Sequence, residues 1–197
     1  MKFVIRHLSF VIQKVSPHYR PLLDVLIFCV ITYGFHELWW WLAPWFKPTS
    51  LFQEIATFMT NHVFNSSSWI LQHIFGWTFE IQNPNTFIFS IPASGIRHPA
   101  SLEVNESCSG LKQFFQIAIL FILFPGPWKH KLWYIPVAIL IMHGVNILRI
   151  VVLSVILVYH PDWWTFSHDW ILRPFFYVII FLEWLIWLKY FRNKTIC

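Results

Sequence analysis

The chain has 197 residues, of which 57% are hydrophobic and only 12% are charged. Soluble domains carry about 25% charged residues, so this chain has too few to cover a water-facing surface, and we expect an integral membrane protein. The net charge of +5 comes from basic residues in short segments between apolar runs, which argues against nucleic-acid binding.

The first apolar run covers about residues 22–46 and ends in a cluster of tryptophans, which favour the headgroup level of a bilayer. The run is long enough to cross a membrane with some tilt. It is too long for a secretory signal, and no small-residue cleavage site follows it. We therefore expect an uncleaved anchor whose N terminus is cytoplasmic.

The pattern changes in the segment 47–107. Residues 51–75 have apolar residues at helical spacing but carry many polar side chains, which favours interfacial or re-entrant helices over a span. "WTFEIQ" and "TFIFSI" alternate on either side of "NPN", which predicts a small β-hairpin, and Ser101–Val104 could add a third strand. An open sheet edge cannot face lipid, so the hairpin is expected in water or at the membrane surface.

Three further apolar runs follow, at about 108–124, 132–158 and 170–188. With the first run they predict an all-α integral membrane bundle of about four transmembrane helices in a single domain, 1–197. Interfacial or re-entrant helices and the small extracytoplasmic hairpin complete the predicted fold.

Basic residues then set the orientation. The side that holds both termini carries nine Lys or Arg and no acid, whereas the other side carries two Lys or Arg and six acids. By the positive-inside rule, both termini are cytoplasmic and the segment 47–107 is extracytoplasmic. In a bacterial inner membrane, the second side faces the periplasm.

Three candidate residues reach similar depths in this arrangement. Cys108 lies 16 residues from the inner end of its run, or ~24 Å up at the rise of an α-helix. Arg149 lies 17 residues along the next run, ~25 Å up. His168, 20 residues before the inner end of the last run, is roughly 30 Å up. The three side chains could therefore converge just below the outer surface.

Each residue also has a structural interpretation: a membrane cysteine is usually a small hydrophobe, an arginine can snorkel, and a histidine before a helix is often a loop residue. Arg149 is the hardest to interpret in this way. His143, Asn146 and Arg149 follow a three-residue step, which places a polar stripe on one face of an apolar span. An ionisable residue in such a span is a functional candidate by default.

The chemistry of the three fits nucleophilic catalysis. Thiolate is the reactive form of cysteine, and a helix N terminus capped by Asn105 or Ser107, or a nearby cation, would stabilise it. Backbone N–H groups of the first turn and Arg149 could hold an oxyanion, and His168 could move protons. Ser109 and Gly110 are small enough to let an extended peptide approach the sulfur.

These residues resemble a known family. "ESCSGLKQ" resembles the Cys-(Ser/Ala)-Gly motif of exosortases and archaeosortases, "NILR" is similar to their Asn-x-x-Arg helix motif, and "SHDW" to their histidine motif. The order Cys…Arg…His matches over roughly residues 20–190. Many exosortases have around eight spans, whereas this chain has about four predicted spans. In this respect it resembles the compact exosortase F branch of Bacteroidetes.

The resemblance implies a membrane cysteine protease or transpeptidase, an EC 3.4.22-like activity that needs no metal or cofactor. Its substrates would be exported proteins with a C-terminal motif, a transmembrane helix and a basic tail, passed through a Cys thioester to an acceptor. Cys108 would be the nucleophile, Arg149 the electrostatic stabiliser and His168 the general acid and base, with Ser109, Gly110 and Asn146 near the substrate. A small membrane partner protein could assist.

Four alternatives stay open. His160 is a rival for His168. The protein could be a non-catalytic scaffold that binds partner transmembrane helices, or a metal or haem protein using His36 and His143, although its histidines lack the spacing of helical metal ligands. It could also be an intramembrane hydrolase of another class, but no serine has a comparable set of partners.

Overall fold

A computed structural model describes residue 16 and residues 18–82, 85–89 and 100–192 of the chain. Within these ranges the α-helices are α1 (Arg20–Phe46), α2 (Ser50–His73), α3 (Leu111–Leu123), α4 (Trp128–Tyr159), α5 (Trp164–Phe166) and α6 (Arg173–Trp187). The strands are β1 (Glu80–Gln82), β2 (Thr86–Phe89) and β3 (Ala100–Glu103). Short 3₁₀ helices lie at Glu106–Cys108 and Pro161–Trp163, and π-helical segments at Ser167–Leu172 and Leu188–Arg192.

The predicted helical membrane class is confirmed. Three helices are long and apolar enough to cross a bilayer: Arg20–Phe46, Trp128–Tyr159 and Pro161–Phe191. The last begins at Pro161 instead of about residue 170, and proline suits a first helical position because it has no N–H to leave unpaired.

The fourth predicted span is shorter than its apolar run. α3 has 13 residues, about 20 Å at 1.5 Å per residue, against a hydrocarbon core of about 30 Å. Residues 108–110 do not join the α-helix, so the crossing of the membrane by this segment stays a prediction. Residues 51–75, expected as separate helical pieces, form the single helix α2, which is not among the three candidate spans.

The predicted hairpin and its third strand are both present. β2 pairs antiparallel with β1 and with β3, giving the order β1-β2-β3, and Phe87 faces Leu102 across the second pair. Part of the predicted "NPN" turn, Asn83 and Pro84, lies outside the described residues, as do residues 1–15 and Cys197.

The chain divides into two compact units. The first contains α1, residues 112–140 and residues 179–192. Its core is aromatic: Trp184, Trp187 and Phe121 are fully buried, and the Phe28 ring lies 4.8 Å from that of Trp184. A Cβ at Gly126, where φ is +152°, would come within 2.6 Å of the Trp187 ring, so this turn requires glycine.

Lys131 joins two elements of the first unit. Its side chain is buried, and Nζ donates to the carbonyls of Ile122 (3.0 Å) and Phe124 (2.6 Å). Carbonyls at the end of a helix have no partner within the helix. The ammonium therefore caps α3 from the first turn of α4.

The second unit contains residues 48–111 and 141–178. Its apolar cluster combines side chains of α2, of the sheet and of α4, among them Val63, Leu71, Phe87, Leu102 and Ile150. Cys108 and Trp164 pack against this cluster. All three candidate catalytic residues belong to this unit.

Replacing Lys131 by Met should lower the free energy of unfolding by about 2 kcal/mol, because two hydrogen bonds from a charged donor are lost. Thermal unfolding in detergent, followed by tryptophan fluorescence, measures the change. Lys129→Met is the matched control, since Lys129 is exposed in the same first turn of α4 as Lys131. Equal melting temperatures for the two variants would contradict the cap.

Candidate active site

A short turn presents Cys108. The Asn105 side chain accepts from the Ser107 N–H (3.1 Å), and the Cys108 N–H donates to the Asn105 carbonyl (2.8 Å), which closes the 3₁₀ helix Glu106–Cys108. Gly110 then adopts φ +82°, a conformation that glycine reaches without steric penalty. The chain is thereby redirected into α3.

Two helix caps share this turn, whereas the sequence suggested one cap, by Asn105 or Ser107. Asn105 caps the 3₁₀ helix, whereas the Ser109 hydroxyl, which is buried, accepts from the N–H of Leu111 at 3.3 Å and caps α3. Cys108 therefore lies three residues before α3 and not in its first turn. The N–H groups of Cys108 and Ser109 already donate to the Asn105 and Glu106 carbonyls, so neither is free to stabilise an oxyanion as expected.

The structure brings Arg149 together with Cys108. The guanidinium interacts electrostatically with the Cys108 side chain and forms a hydrogen bond with it. Arg149 is only 8% exposed, and its Nε has no hydrogen-bond partner among the residues that the structure describes. Burying an incompletely paired cation costs several kcal/mol, which is typical of a functional site rather than of a stabilising core.

Two further contacts hold Arg149. The guanidinium carbon lies 5.2 Å from the centre of the Phe176 ring, within cation–π range. Arg149 also lines a cavity of about 240 Å³ whose other walls are apolar, among them Leu148, Ile171 and Phe175. Arg149 is the single charged residue among the described residues that line this cavity.

Asn146 fixes the backbone of the nucleophile turn. Its side-chain Nδ2 donates to the Cys108 carbonyl at 2.7 Å, and its side chain is buried. Asn146 and Arg149 are one turn apart on α4, so one helix face binds both the backbone and the side chain of Cys108. The third member of the predicted polar stripe, His143, instead contacts His62 of α2, with Nε2 and Nδ1 3.0 Å apart.

His168 lies in the π-helical segment Ser167–Leu172, a conformation that occurs often at functional sites. Its Nδ1 is 2.8 Å from Asp169 Oδ1, and its ring stacks on Trp164 with centroids 5.1 Å apart. Arg173 Nη1 binds the same carboxylate oxygen at 3.1 Å. Asp169 therefore holds the imidazole of His168 through Nδ1.

The structure does not join the three candidates directly. In the described part of the chain, His168 makes no hydrogen bond to Cys108 or Arg149. Trp164, whose ring stacks on His168, packs on the same apolar cluster as Cys108. Arg173, which binds Asp169, is near enough to Arg149 for the two like charges to repel each other. The rival His160 is exposed and ends α4.

Sequence reasoning missed Trp164 and Arg173. Their signal was the spacing of four residues in "WTFSHDWILR", which places Trp164 one turn before His168 and Arg173 one turn after Asp169. Within the described ranges, no group of three or more His, Cys, Asp or Glu could hold a metal ion.

Comparison with known proteins gives one match. A family model described as transmembrane exosortase (Exosortase_EpsH) matches residues 20–185. No curated protein and no solved structure matches the chain. The match confirms the family that the three motifs indicated, while the exosortase F branch stays a prediction. Since the matched region covers most of the sequence and includes the Cys, Arg and His motifs, the chain belongs to the transmembrane exosortase family.

Proposed function

We propose that the protein is a membrane cysteine protease or transpeptidase that removes the C-terminal sorting tail of exported proteins through a thioester on Cys108. Membership of the family supports a membrane function of the transpeptidase or protease type in general. The observation that carries the finer proposal is the buried Arg149 guanidinium against the Cys108 side chain. A cation beside a cysteine favours the thiolate, which is the nucleophilic form.

In the first step, the Cys108 sulfur attacks the carbonyl carbon of the scissile peptide bond. A carbon–sulfur bond forms, and the electron pair of the carbonyl π bond moves to the oxygen. The Arg149 guanidinium, still charged at neutral pH, is the nearest donor for that oxyanion. When the intermediate collapses, the carbon–nitrogen bond breaks and the departing amine of the tail takes a proton from His168.

In the second step, an acceptor attacks the thioester and the sulfur leaves as thiolate. His168 accepts the proton of the acceptor, and Asp169 holds the imidazole through Nδ1 while Trp164 supports its ring. Catalytic hydrogen bonds are often long in a free enzyme and tighten only when substrate is bound. We therefore assign the approach of His168 to Cys108 to the substrate-bound state.

The remaining parts of the site take supporting roles. Asn146 holds the Cys108 carbonyl, Ser109 caps α3, and Gly110 supplies the required backbone angle. Direct contact of these three with substrate stays a prediction. The apolar cavity beside Arg149 suits a hydrophobic stretch of the sorting tail next to the scissile bond.

The charge distribution supports a location in the bacterial inner membrane, with both termini cytoplasmic and Cys108 toward the periplasm. The partners would be exported proteins that carry a motif, a transmembrane helix and a basic tail, and a small membrane protein could assist. The exosortase F branch is part of the same proposal, because the small number of predicted spans resembles that branch.

A membrane-impermeant maleimide added to spheroplasts should modify Cys108, which is partly exposed, because the proposed site opens on the periplasmic side. Mass spectrometry of the labelled peptides measures the modification. Cys108→Ser should abolish this labelling, and Cys29→Ser should leave it unchanged. Labelling of Cys108 only after the membrane is permeabilised would reverse the orientation.

Arg149→Lys should slow thioester formation by about 100-fold, since lysine keeps the charge but loses the planar fork of donors. The measurement is rapid quench of the enzyme with a co-expressed tail-bearing protein, followed by mass spectrometry of the adduct on Cys108. Cys108→Ala should form no adduct, and Cys29→Ser is the control for general thiol loss. Normal processing by Cys108→Ala would remove the covalent mechanism and favour a scaffold.

Asp169→Asn should reduce kcat by about tenfold, and His168→Ala by about 100-fold or more. If Asp169 acts by positioning His168, then Asp169→Asn should add no further loss in the His168→Ala background. Cleavage of a tail-bearing substrate in detergent gives the four rates of this cycle. Asp162→Asn, an exposed acid on the preceding turn, is the control. If the two losses in kcat multiply in the double variant, Asp169 does not act through His168.

A further inference from the structure

Strand β3 forms one edge of the sheet. In the order β1-β2-β3 it pairs with β2 on one side, and within the described ranges no strand pairs with its other side. β3 contains no proline that would block the addition of another strand. This edge is therefore a template on which an extended chain can form backbone hydrogen bonds.

The register shows which backbone groups of β3 face outward. The Val104 N–H donates to the Asn85 carbonyl at 2.9 Å, and these residues lie one position beyond the Thr86–Glu103 pair. Hydrogen-bonded and non-hydrogen-bonded pairs alternate in an antiparallel ladder. The N–H and C=O groups of Ser101 and Glu103 therefore point away from β2. Among the residues that the structure describes, these four groups have no hydrogen-bond partner.

A polar cavity continues this edge toward the nucleophile. It has a volume of about 380 Å³, and the consecutive residues 103–106 line it together with residues of α2 and the start of β2. The last of them, Glu106, begins the 3₁₀ helix that ends at Cys108. Their Cα atoms are at most ~7.6 Å apart, since neighbouring Cα atoms are ~3.8 Å apart. A chain that follows β3 and enters the cavity is thereby led to the turn that carries the sulfur.

Two buried polar atoms in the lining of this cavity have no partner. Thr60 is 3% exposed, and its Oγ1 makes no hydrogen bond within the described ranges. Asn85 Oδ1 is also buried and unpaired among the described residues. Buried polar groups in folded proteins are almost always hydrogen-bonded, so both atoms point to a ligand with hydrogen-bonding groups. A peptide backbone supplies a donor and an acceptor at almost every residue.

The proposed function identifies the peptide that fits this edge. The peptide groups of a helix are already hydrogen-bonded to one another, so the bond that Cys108 attacks has to lie in an extended segment. In the sorting tail, that segment comes just before the transmembrane helix. From the outward groups of Ser101 and Glu103 and from the cavity that follows them, we propose that this substrate segment binds as a fourth strand on β3. This binding mode rests on the proposed function for the identity of the substrate and adds where its backbone binds.

Strand addition also determines which substrate positions the protein reads. The backbone groups of Ser101 and Glu103 bind the substrate backbone whatever its side chains, whereas those side chains alternate between the two faces of the sheet. On one face Leu102 is buried, and on the other Ser101 and Glu103 are exposed. The core side of the protein therefore contacts every second side chain of the segment.

Ser101→Pro removes one outward N–H group and leaves the hydrogen bonds between β2 and β3 in place, because proline is tolerated on an edge where its missing N–H faces away from the sheet. For a purified tail-bearing protein, KM should rise about tenfold and kcat should change little, since the added strand loses a hydrogen bond and its close approach. Cleavage rates in detergent give both constants. The melting temperature shows whether the fold is retained.

The opposite edge of the sheet supplies the matched control. Ile81 lies in the middle of β1, faces Phe87 in the register and is 54% exposed. Because β2 alternates its backbone groups between its two neighbours, those of Ile81 point outward, as those of Ser101 do. Ile81→Pro should leave KM unchanged. An unchanged KM in Ser101→Pro, or an equal rise in both proline variants, would overturn the proposal.

Thr60→Val removes the unpartnered hydroxyl of the cavity and keeps the shape of the side chain. It should raise KM about threefold, because the bound segment loses a hydrogen bond. Thr32→Val is the matched control: the Thr32 hydroxyl is also buried without a partner in the described part of the chain, but it lies on α1, in the other compact unit. Equal KM values for the two variants would show that the cavity does not hold the substrate.

Cross-linking tests the contact without any chemistry at Cys108. Ser101→Cys is introduced after the three native cysteines have been replaced, and single cysteines are placed at successive residues before the transmembrane helix of the tail-bearing protein. The disulfide yield after mild oxidation should alternate between neighbouring substrate positions, because side chains alternate along a strand. Glu80→Cys is the control, since Glu80 lies in the same row as Ser101 on the far strand, with Ile88 between them. Yields without alternation, or equal yields for the two positions, would contradict strand addition.

The competing occupant of the edge is β3 of a second copy of this chain, since exposed edges also pair with one another. In that case Ser101→Cys would give a cross-linked dimer in the absence of substrate, and the proposal would fail. If β3 is free for the substrate, this variant stays uncross-linked under oxidation until the tail-bearing protein is added.

The outcomes separate the binding mode from the proposed function. Alternating cross-links together with normal processing by Cys108→Ala would refute the covalent mechanism alone, since strand addition needs no sulfur. A thioester on Cys108, together with an unchanged KM in Ser101→Pro and no cross-links at β3, would refute strand addition alone.

Discussion

The contact between a buried guanidinium and a cysteine side chain is the interaction on which the rest of the site depends. Arg149 is enclosed by apolar residues and has an Nε with no partner in the described part of the chain. The free-energy cost of desolvating such a cation is offset only by strong local partners. The Cys108 side chain is the partner that Arg149 contacts, so the burial of Arg149 supports the role of nucleophile that we propose for Cys108.

The backbone around Cys108 serves this contact. The Asn105 cap, the 3₁₀ helix and the positive φ of Gly110 project the sulfur from a turn instead of burying it in a helix. In the same turn, the N–H groups of Cys108 and Ser109 already donate to backbone carbonyls. In the proposed mechanism, Arg149 therefore supplies the electrostatic stabilisation that a backbone oxyanion hole supplies in many other enzymes.

Regular periodicity explains what the sequence could predict. The polar helix face that carries Arg149 could be predicted because a helix repeats every 3.6 residues. The β-hairpin could be predicted because side chains alternate along strands. The match to the family then agrees with three short motifs. The Asp169–Arg173 pair also follows a regular helical spacing, although its use could be seen only in the structure.

Irregular backbone explains what the sequence could not predict. The turn at Asn105–Gly110 shortens α3, because a single glycine angle decides whether residues 108–110 join the helix. The π-helical segment at His168 depends on an extra residue per turn, which no hydrophobic pattern reveals. The Arg149 Nε, which has no partner among the described residues, belongs to the same class, since only three-dimensional packing shows whether a polar atom finds a partner.

Asn146 and Arg149 act on Cys108 from a single turn of α4. When bilayer thickness changes, transmembrane helices tilt to match it, and residues on different helices then shift relative to one another. Asn146 and Arg149 lie on the same helix and therefore move together, and both contact the turn that carries Cys108. We therefore expect the contact between the Cys108 side chain and the Arg149 guanidinium to change little with bilayer thickness, and the proposed acylation to proceed similarly in thin and thick membranes.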